Sequence, residues 1–280
     1  MSTQTDSARL WKTDLPGVEL FEAQLHQHRF GKHFHEAYTI GFNESGQGCC
    51  LHHGENRILG SGSFNLINPG DIHTGQVAST EGWGFRNIYV EFSQIEQLLT
   101  QLDWPGHDIP YFKAPIVKAP SVQPIFYELF HCLTTPSSQL KQQSLLLELL
   151  SKLFQLNAEN SFIVRPVQPE STAVAHVRTY LEAHYADNVS LDKLAQLVNL
   201  SSYYLIRCFR QQVGCAPHQY QRHWRLIQAK RALRNGGSLT EIATDHGFYD
   251  QSHLNRAFKK TYGVTPGQYQ KGNSVQYGWG

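Results

Sequence analysis

Apolar and polar positions follow two successive rhythms along these 280 residues. Between 19 and 92, short aromatic and β-branched runs recur: YTIGF (38–42), FNLI (64–67) and FRNIYVEF (85–92). Turn-forming clusters separate them, namely NESGQG (43–48), HGEN (53–56), GSGS (60–63) and NPGD (68–71). Short strands punctuated in this way predict a β-barrel or sandwich. From about residue 93 the period lengthens. SQIEQLLTQL, VQPIFYELFHCL and SQLKQQSLLLELLSKLFQLN place apolar residues three and four apart, as one face of a helix requires. The last carries Leu140, Leu145, Leu146, Leu147, Leu149, Leu150, Leu153 and Leu156, an apolar surface wide enough for two packing partners. One side is expected to cover the β-unit and the other to meet a second subunit. ENSFIVRPVQPES (159–171) has two prolines and polar ends and reads as a linker. Helical spacing then continues. The expected organisation is a β-unit with attached helices over 1–158, a linker over 159–172 and an all-α domain over 173–280, with the first ten residues a frayed tail.

The all-α region repeats itself. Ser190, Leu191, Leu194, Ala195 and Leu200 match Ser238, Leu239, Ile242, Ala243 and Phe248 at an offset of 48. After a one-residue insertion, Leu205, Arg207, Phe209, Gly214, Pro217, Gln219 and Tyr220 match Leu254, Arg256, Phe258, Gly263, Pro266, Gln268 and Tyr269 at an offset of 49. Ser190, Ser201, Ser238 and Asp250 are placed to cap helix starts, and Ser238 with Glu241 has capping-box spacing. Ala195 and Ala243 are small enough for two short helices to cross. Asn199 and Gly247 tolerate the left-handed backbone that ends a helix, and Gly214 and Gly263 terminate the second helix of each unit. This is helix-turn-helix order, twice. Between the repeats, PHQYQRHWRLIQAKRALRNGG has a proline near its start and a Gly-Gly end, predicting one long helix. About 18 residues at ~1.5 Å each span ~27 Å, which with the helix widths sets two recognition helices about one DNA turn (~34 Å) apart.

Charge sharpens this division. Residues 171–280 hold 13 Lys and Arg against 6 Asp and Glu, a formal +7, while residues 1–170 hold 11 against 17, a formal −6. Only the basic part is suited to a polyanion. Removing the buried stripe leaves Ser202, Tyr203, Ile206, Arg207 and Arg210 on the first recognition helix. On the second it leaves Gln251, Ser252, His253, Asn255, Arg256 and Lys259. Arg can pair with guanine, Gln or Asn with adenine. Arg210, Lys259 and Lys260 are candidates for phosphate contacts.

Residues 173–271 resemble the two-part DNA-binding domain of the AraC/XylS family of transcription regulators. The resemblance rests on Ala243, Gly247 and Phe248 in the second turn and on Gly263, Pro266 and Tyr269 at the close. It implies recognition helices at about 201–212 and 250–261, with the positions of Tyr203, Ile206, Arg207, Gln251, Ser252, Asn255 and Arg256 facing the groove.

The N-terminal half contains KHFHEAYTIGF, with His33, His35, Glu36 and Tyr38, and later NPGDIHTGQ, with His73. H-x-H followed by P-G-x-x-H resembles the cupin-type sensor domain of the same family. A metal-dependent cupin places a Glu where this chain has Thr39. Three readings of the histidines stay open: a metal site at His33, His35 and His73, an organic-ligand pocket at His33, His35, Glu36, Tyr38 and His73, and structural hydrogen bonding. The ligand pocket is favoured, with no metal cofactor. Strand alternation puts His33 and His35 on one face and Glu36 with Tyr38 on the other unless a bulge intervenes. Trp83, Asn87 and Tyr89 are secondary lining candidates, and His52 and His53 receive no role.

Five cysteines without a CxxC pair suit reduced thiols in a cytoplasm. No apolar run approaches the ~20 residues of a membrane span, and the N-terminus lacks a secretory signal. No Ser-His-Asp set, phosphate loop or dinucleotide-binding glycine pattern is evident. The expected protein is a two-domain α+β, ligand-responsive regulator of double-stranded promoter DNA. It is expected to be a homodimer, to answer a small-molecule effector and to contact RNA polymerase. A metal-dependent oxygenase or isomerase with a DNA-binding tail, and a constitutive DNA-binding protein, are the competing readings.

Overall fold

The computed structural model describes residues 5–101, 110–158, 171–262 and 264–270. The chain divides into two compact units, one of residues up to 135 together with 145–158, the other of residues 136–144 together with the helices from 171. The expected linker falls mostly outside the described residues, as does Gly263.

The first unit is antiparallel β-structure covered by helices. Its strands are β1 (Ser7–Lys12), β2 (Val18–Leu25), β3 (Arg29–His33), β4 (Ala37–His52), β5 (Glu55–Gly60), β6 (Phe64–Ile67), β7 (His73–Val77), β8 (Trp83–Glu91) and β9 (Ile116–Val117). The main path runs β1-β2-β8-β4-β6-β9, and β4 also pairs with β5 and β7, which takes β3 as its neighbour. β1 and β9, the ends of the path, do not pair, so the barrel is open. Two expectations are corrected here. Residues 7–10 are not frayed but form most of β1, an exposed edge strand whose polar side chains hid main-chain pairing with β2 from Ser7↔Gln24 onward. NESGQG is not a turn but the middle of the 16-residue β4. A register shift between Asn43 and Ser45 bends the strand there. Asn43 holds the bend: Trp83 Nε1 donates to its Oδ1 at 2.9 Å, and its Nδ2 donates to Ser63 O at 3.0 Å. Residues 37–46 of β4 therefore pair with β8 and residues 47–52 with β5, so one strand serves two sheets.

Both faces of the larger sheet are buried. Leu20, Tyr38, Ile40, Phe42, Phe64, Leu66, Ile88 and Val90 are buried in the core. Rings of this group meet α2 (Gln123–Thr134) and the later part of α3 (Gln139–Asn157), as at Phe42–Phe126 (5.8 Å between centroids) and Tyr38–Phe154 (6.0 Å). The alternate positions line a cavity. α1 (Phe92–Gln101) follows β8. All the leucines of α3 except Leu156 are buried within the single chain. The apolar width expected to meet a second subunit is thus already covered.

The second unit contains α4 (Ser171–Ala183), α5 (Leu191–Leu197), α6 (Ser202–Val213), α7 (Pro217–Arg234), α8 (Leu239–Asp245), α9 (Gln251–Tyr262) and α10 (Pro266–Gln270). The repeat is realised bond for bond. Leu200 N donates to Ala195 O at 3.1 Å, and Phe248 N to Ala243 O at 2.9 Å. The turn residues Asn199 and Gly247 sit at φ 52° and 75°. The Phe209–Tyr220 and Phe258–Tyr269 ring pairs lie 5.6 and 5.7 Å apart. Ser190 accepts from Lys193 N and Ser201 from Tyr204 N, and Asp250 Oδ1 accepts from His253 N. Ser238 departs from the pattern: it is exposed and its hydroxyl makes no cap bond, so the expected capping box with Glu241 is not formed. A full box forms instead at Thr265 and Gln268, where Gln268 N also donates to Thr265 Oγ1 at 3.2 Å, and the glutamine half of one forms at Ala216. Gln219 Oε1 accepts from Ala216 N at 3.0 Å, and Gln268 Oε1 from Thr265 N at 2.9 Å.

Candidate functional site

The two sheets of the first unit enclose a cavity of about 830 Å³. Each strand contributes alternate residues: Phe21 from β2, Thr39 from β4, Asn65 from β6, and Trp83, Phe85, Asn87 and Tyr89 from β8. His33, His35, Glu36 and His73 converge on the same space. Glu36 joins the histidines because β3 loses register between Phe30 and His33 and residues 34–36 belong to no strand, so simple alternation fails there. Tyr38 does not join them. It is fully buried on the opposite face, and its hydroxyl donates to Pro110 O at 2.7 Å. Burial also pushes its phenol well above the ordinary value. Tyr38 is a core residue, placed there by the strand alternation that resumes at Ala37.

The imidazoles form a triangle with centroids 4.3 Å (His33–His73), 5.0 Å (His33–His35) and 5.2 Å (His35–His73) apart. His33 Nδ1 lies 2.8 Å from Gly31 O and His73 Nδ1 2.9 Å from Asp71 O. A carbonyl only accepts, so Nδ1 of each ring carries a proton, and the neutral form of either ring has its lone pair on Nε2. Burial, reinforced by the neighbouring histidines, pulls His35 down to about 4. Burial also lowers His73. Neutral imidazoles with an outer carbonyl bond are the form that binds a divalent metal or accepts a hydroxyl proton. One ligating nitrogen from each of the three lies within 4.8 Å of the others, so the donor set fits a metal ion.

Beside the triangle lies a polar row, of which pattern reading named Asn87 and Tyr89 but missed Asn65 and Thr39. β6, β4 and β8 pair so that Asn65, Gly41 and Asn87 stand abreast, with Thr39 and Tyr89 in the next row. Thr39 Oγ1, Asn65 Oδ1 and Asn87 Oδ1 are buried without a hydrogen-bond partner among the described residues. A buried acceptor without a partner costs about 1–3 kcal/mol, which a bound ligand would recover. Asn in the middle of the apolar run FNLI was the available signal for Asn65. No Lys or Arg lines the cavity among the described residues.

In the second unit the structure separates the proposed reading residues into two groups. Ser202 is 2% exposed with its hydroxyl donating to Asp192, and Ile206 is 5% exposed. Both join Leu205 and Phe209 in a buried stripe at i, i+3, i+4 and i+7, wider than the i, i+4 pair read from sequence. Both side chains are covered in this structure, unlike the exposed positions expected of base readers. Tyr203, Arg207 and Arg210 remain half-buried on the other side of α6, with the Arg207 guanidinium 5.5 Å from the Tyr203 ring. On α9, Ser252, Arg256 and Lys259 are exposed along one face with Lys260. Gln251, His253 and Asn255 are half-buried. Gln251 accepts from Thr240, and His253 packs its ring against Phe248. Asn255 Oδ1 has no hydrogen-bond partner among the described residues. The turn before α9 also presents Tyr249, 72% exposed, which no periodicity singled out.

Residues 15–150 match the family described as the AraC-like ligand binding domain, and residues 194–272 match a helix-turn-helix domain family. The chain is similar to the HTH-type transcriptional regulator YbfI of Bacillus subtilis, 32% identical over 85% of this chain and 86% of that protein. It is 27% identical to the HTH-type transcriptional activator RhaS of Escherichia coli over 90% of this chain and 91% of that protein. Among solved structures, apo ToxT from Vibrio cholerae aligns over 93% of this chain and 99% of its own, with 13% identity and a TM-score of 0.40.

Proposed function

The chain belongs to the AraC family of transcription regulators, and from that premise we propose that its cavity binds a small-molecule effector while α6 and α9 enter successive major-groove segments of promoter DNA. It is a DNA-binding regulator and not an enzyme, as its relatives are. The observation that carries the two-segment reading is the equivalence of the units on either side of α7. Both turns close with the same bond and both recognition helices end against the same Phe–Tyr pair. α7 is 18 residues long, or about 27 Å, which suits a separation of one DNA turn.

In this reading Arg256 contacts a base and Lys259 and Lys260 contact phosphate, with Ser252 one turn before Arg256 on the same face. Tyr203, Arg207 and Arg210 supply the first helix, and Gln251, His253 and Asn255 support the second. The proposed effector contacts are His33, His35, Glu36 and His73, extended by Thr39, Asn65 and Asn87. A metal at the histidine triangle is a second reading, favoured by the Nδ1–carbonyl bonds that aim two Nε2 lone pairs. Such an ion would supply a positive anchor for an effector oxygen in a cavity lined by no Lys or Arg. A homodimer and a contact with RNA polymerase complete the proposal on family membership alone. Action on a chromosome implies a cytoplasmic location, and no helix among the described residues is long and apolar enough to cross a membrane.

Anisotropy titrations on an operator selected from random DNA test the interface. Arg256→Ala is expected to cost about 1–3 kcal/mol on the operator and relax preference at one base pair, whereas Lys259→Ala weakens all sequences alike and lowers the salt slope by about one. Equal loss for Arg256→Ala on operator and scrambled DNA rules out base reading by Arg256.

A further inference from the structure

A second cluster of ligating side chains lies outside the cavity lining. His52 closes β4, His53 occupies the following turn, and Asp71 precedes β7. One ligating atom from each lies within 4.8 Å of the others. His52 Nε2 is 3.1 Å and His53 Nε2 3.4 Å from the same oxygen, Asp71 Oδ2. The Tyr111 hydroxyl joins them, 3.0 Å from His53 Nε2 and 3.2 Å from each Asp71 oxygen.

We propose that His52, His53, Asp71 and Tyr111 form a binding site for a divalent transition metal of the zinc type, separate from the effector cavity. Four ligands at ~2.0–2.1 Å from a tetrahedral ion stand roughly 3.3 Å from one another. Four of the six donor–donor edges, at 3.0–3.4 Å, already fall near that length. Two imidazoles and a carboxylate form a donor set that such ions favour over magnesium or calcium. An outer shell is also present. Asn68 Nδ2 donates to Asp71 Oδ2 at 3.2 Å, and Asn68 is itself fixed by Phe112, whose N–H donates to Asn68 Oδ1 at 2.8 Å. Bonds of this kind orient the side chains that ligate a metal.

The backbone turn positions His53. His53 sits at φ 50° and Gly54 at φ 79° in a two-residue hairpin turn. Asn-Gly is the usual choice for that geometry. A non-glycine residue at positive φ is uncommon, and His is among the types found there with Asn and Asp. The imidazole of His53 places a second nitrogen over Asp71. His52 is buried, and Asp71 is the only hydrogen-bond partner of its ring among the described residues.

A metal at this site would reach the cavity through the chain. Asp71 offers its carboxylate to the cluster and its carbonyl to His73 Nδ1 at 2.9 Å. Occupancy would therefore hold His73 in position.

Cobalt is the probe. Full-length protein is titrated with Co²⁺, read by the visible absorption of tetrahedral cobalt, and then with Zn²⁺ to displace it. The expected result is one equivalent of tetrahedral cobalt that persists in the cavity variant His33→Ala/His73→Ala and is lost in His53→Asn and in Asp71→Asn. Asn keeps the left-handed turn, so His53→Asn retains the wild-type melting curve in metal-free buffer. Tyr111→Phe alters the cobalt spectrum. Absence of tetrahedral cobalt in the wild type overturns the proposal. So does a spectrum unchanged by His53→Asn and Asp71→Asn, or one lost only with the cavity histidines. The last result would transfer the metal to the triangle and leave the effector-cavity reading in place.

Discussion

At the scale of single residues, Gly41 decides what the cavity floor can be. A Cβ there would meet Asn65 Oδ1 at 2.1 Å and Asn87 Oδ1 at 2.5 Å. Gly41→Ala must therefore displace both amides. The expected outcome is a loss of about 1–3 kcal/mol in stability, together with loss of the thermal shift that the effector gives the wild-type protein. A variant that keeps the full shift shows that the asparagine row is not an effector contact. The histidines, Asn87 and Tyr89 were legible as candidates because H-x-H, P-G-x-x-H and a β-strand pattern are local features. Asn65 and Thr39 were not, and Tyr38 was misplaced. Alternation separates the two faces of a strand, but it does not say which face meets a helix and which a void. In this sheet both faces are buried.

At the scale of elements, the second turn and α7 depend on one another. Arg225 is buried in α7, and its Nε donates to Tyr185 O (2.7 Å), Nη1 to Gly247 O (2.6 Å) and Nη2 to Asp187 O (2.8 Å). Gly247 is at φ 75°, and a Cβ on it would lie 2.4 Å from Ala186 O. Gly247→Ala combines backbone strain with displacement of a charged hydrogen bond and is expected to cost at least about 2 kcal/mol in urea unfolding. The equivalent Asn199→Gly relieves a left-handed residue and is expected to change stability by under ~1 kcal/mol. Comparable losses for both variants refute the role assigned to Arg225. Ser190, Ser201, Asp250 and the α7 start were readable in advance, because capping involves residues two or three apart. The true width of the α6 stripe was not. Leu205 and Phe209 mark its centre, but whether Ser202 and Ile206 are also covered depends on neighbouring elements.

At the scale of the whole molecule, each unit holds a histidine neutral, half-buried His35 in the first and buried His218 in the second. Burial takes His35 to about 4 and His218, with help from nearby cations, to about 3, from an ordinary 6.5. The folded form thus refuses a proton that the unfolded chain accepts. Stability is retained above pH ~6.5 and declines as the pH falls below it, by up to about 1.4 kcal/mol per pH unit for a fully buried group such as His218. Thermal melts between pH 8 and pH 4 are expected to be level at first and then to fall, with His218→Leu flattening the decline. A melting temperature that rises on acidification contradicts this assignment.

What the sequence by itself determined is whatever short-range physics controls: the period of each segment, the helix starts and stops, the internal repeat, and the segregation of charge that marks the DNA-binding half. The family resemblance rested on that same local order. Only the tertiary structure decided what distant pairing controls. It made β4 one bent strand instead of two, because Asn43 ties the bend to Trp83 and Ser63, 40 and 20 residues away. It brought His33, His35 and His73 into one triangle. It assembled His52, His53, Asp71 and Tyr111 from segments up to 59 residues apart (52 to 111). It also buried two side chains of α6 that the helical period alone would have left facing DNA. Strand register and cavity walls arise from contacts across tens of residues, and no periodicity along the chain records them.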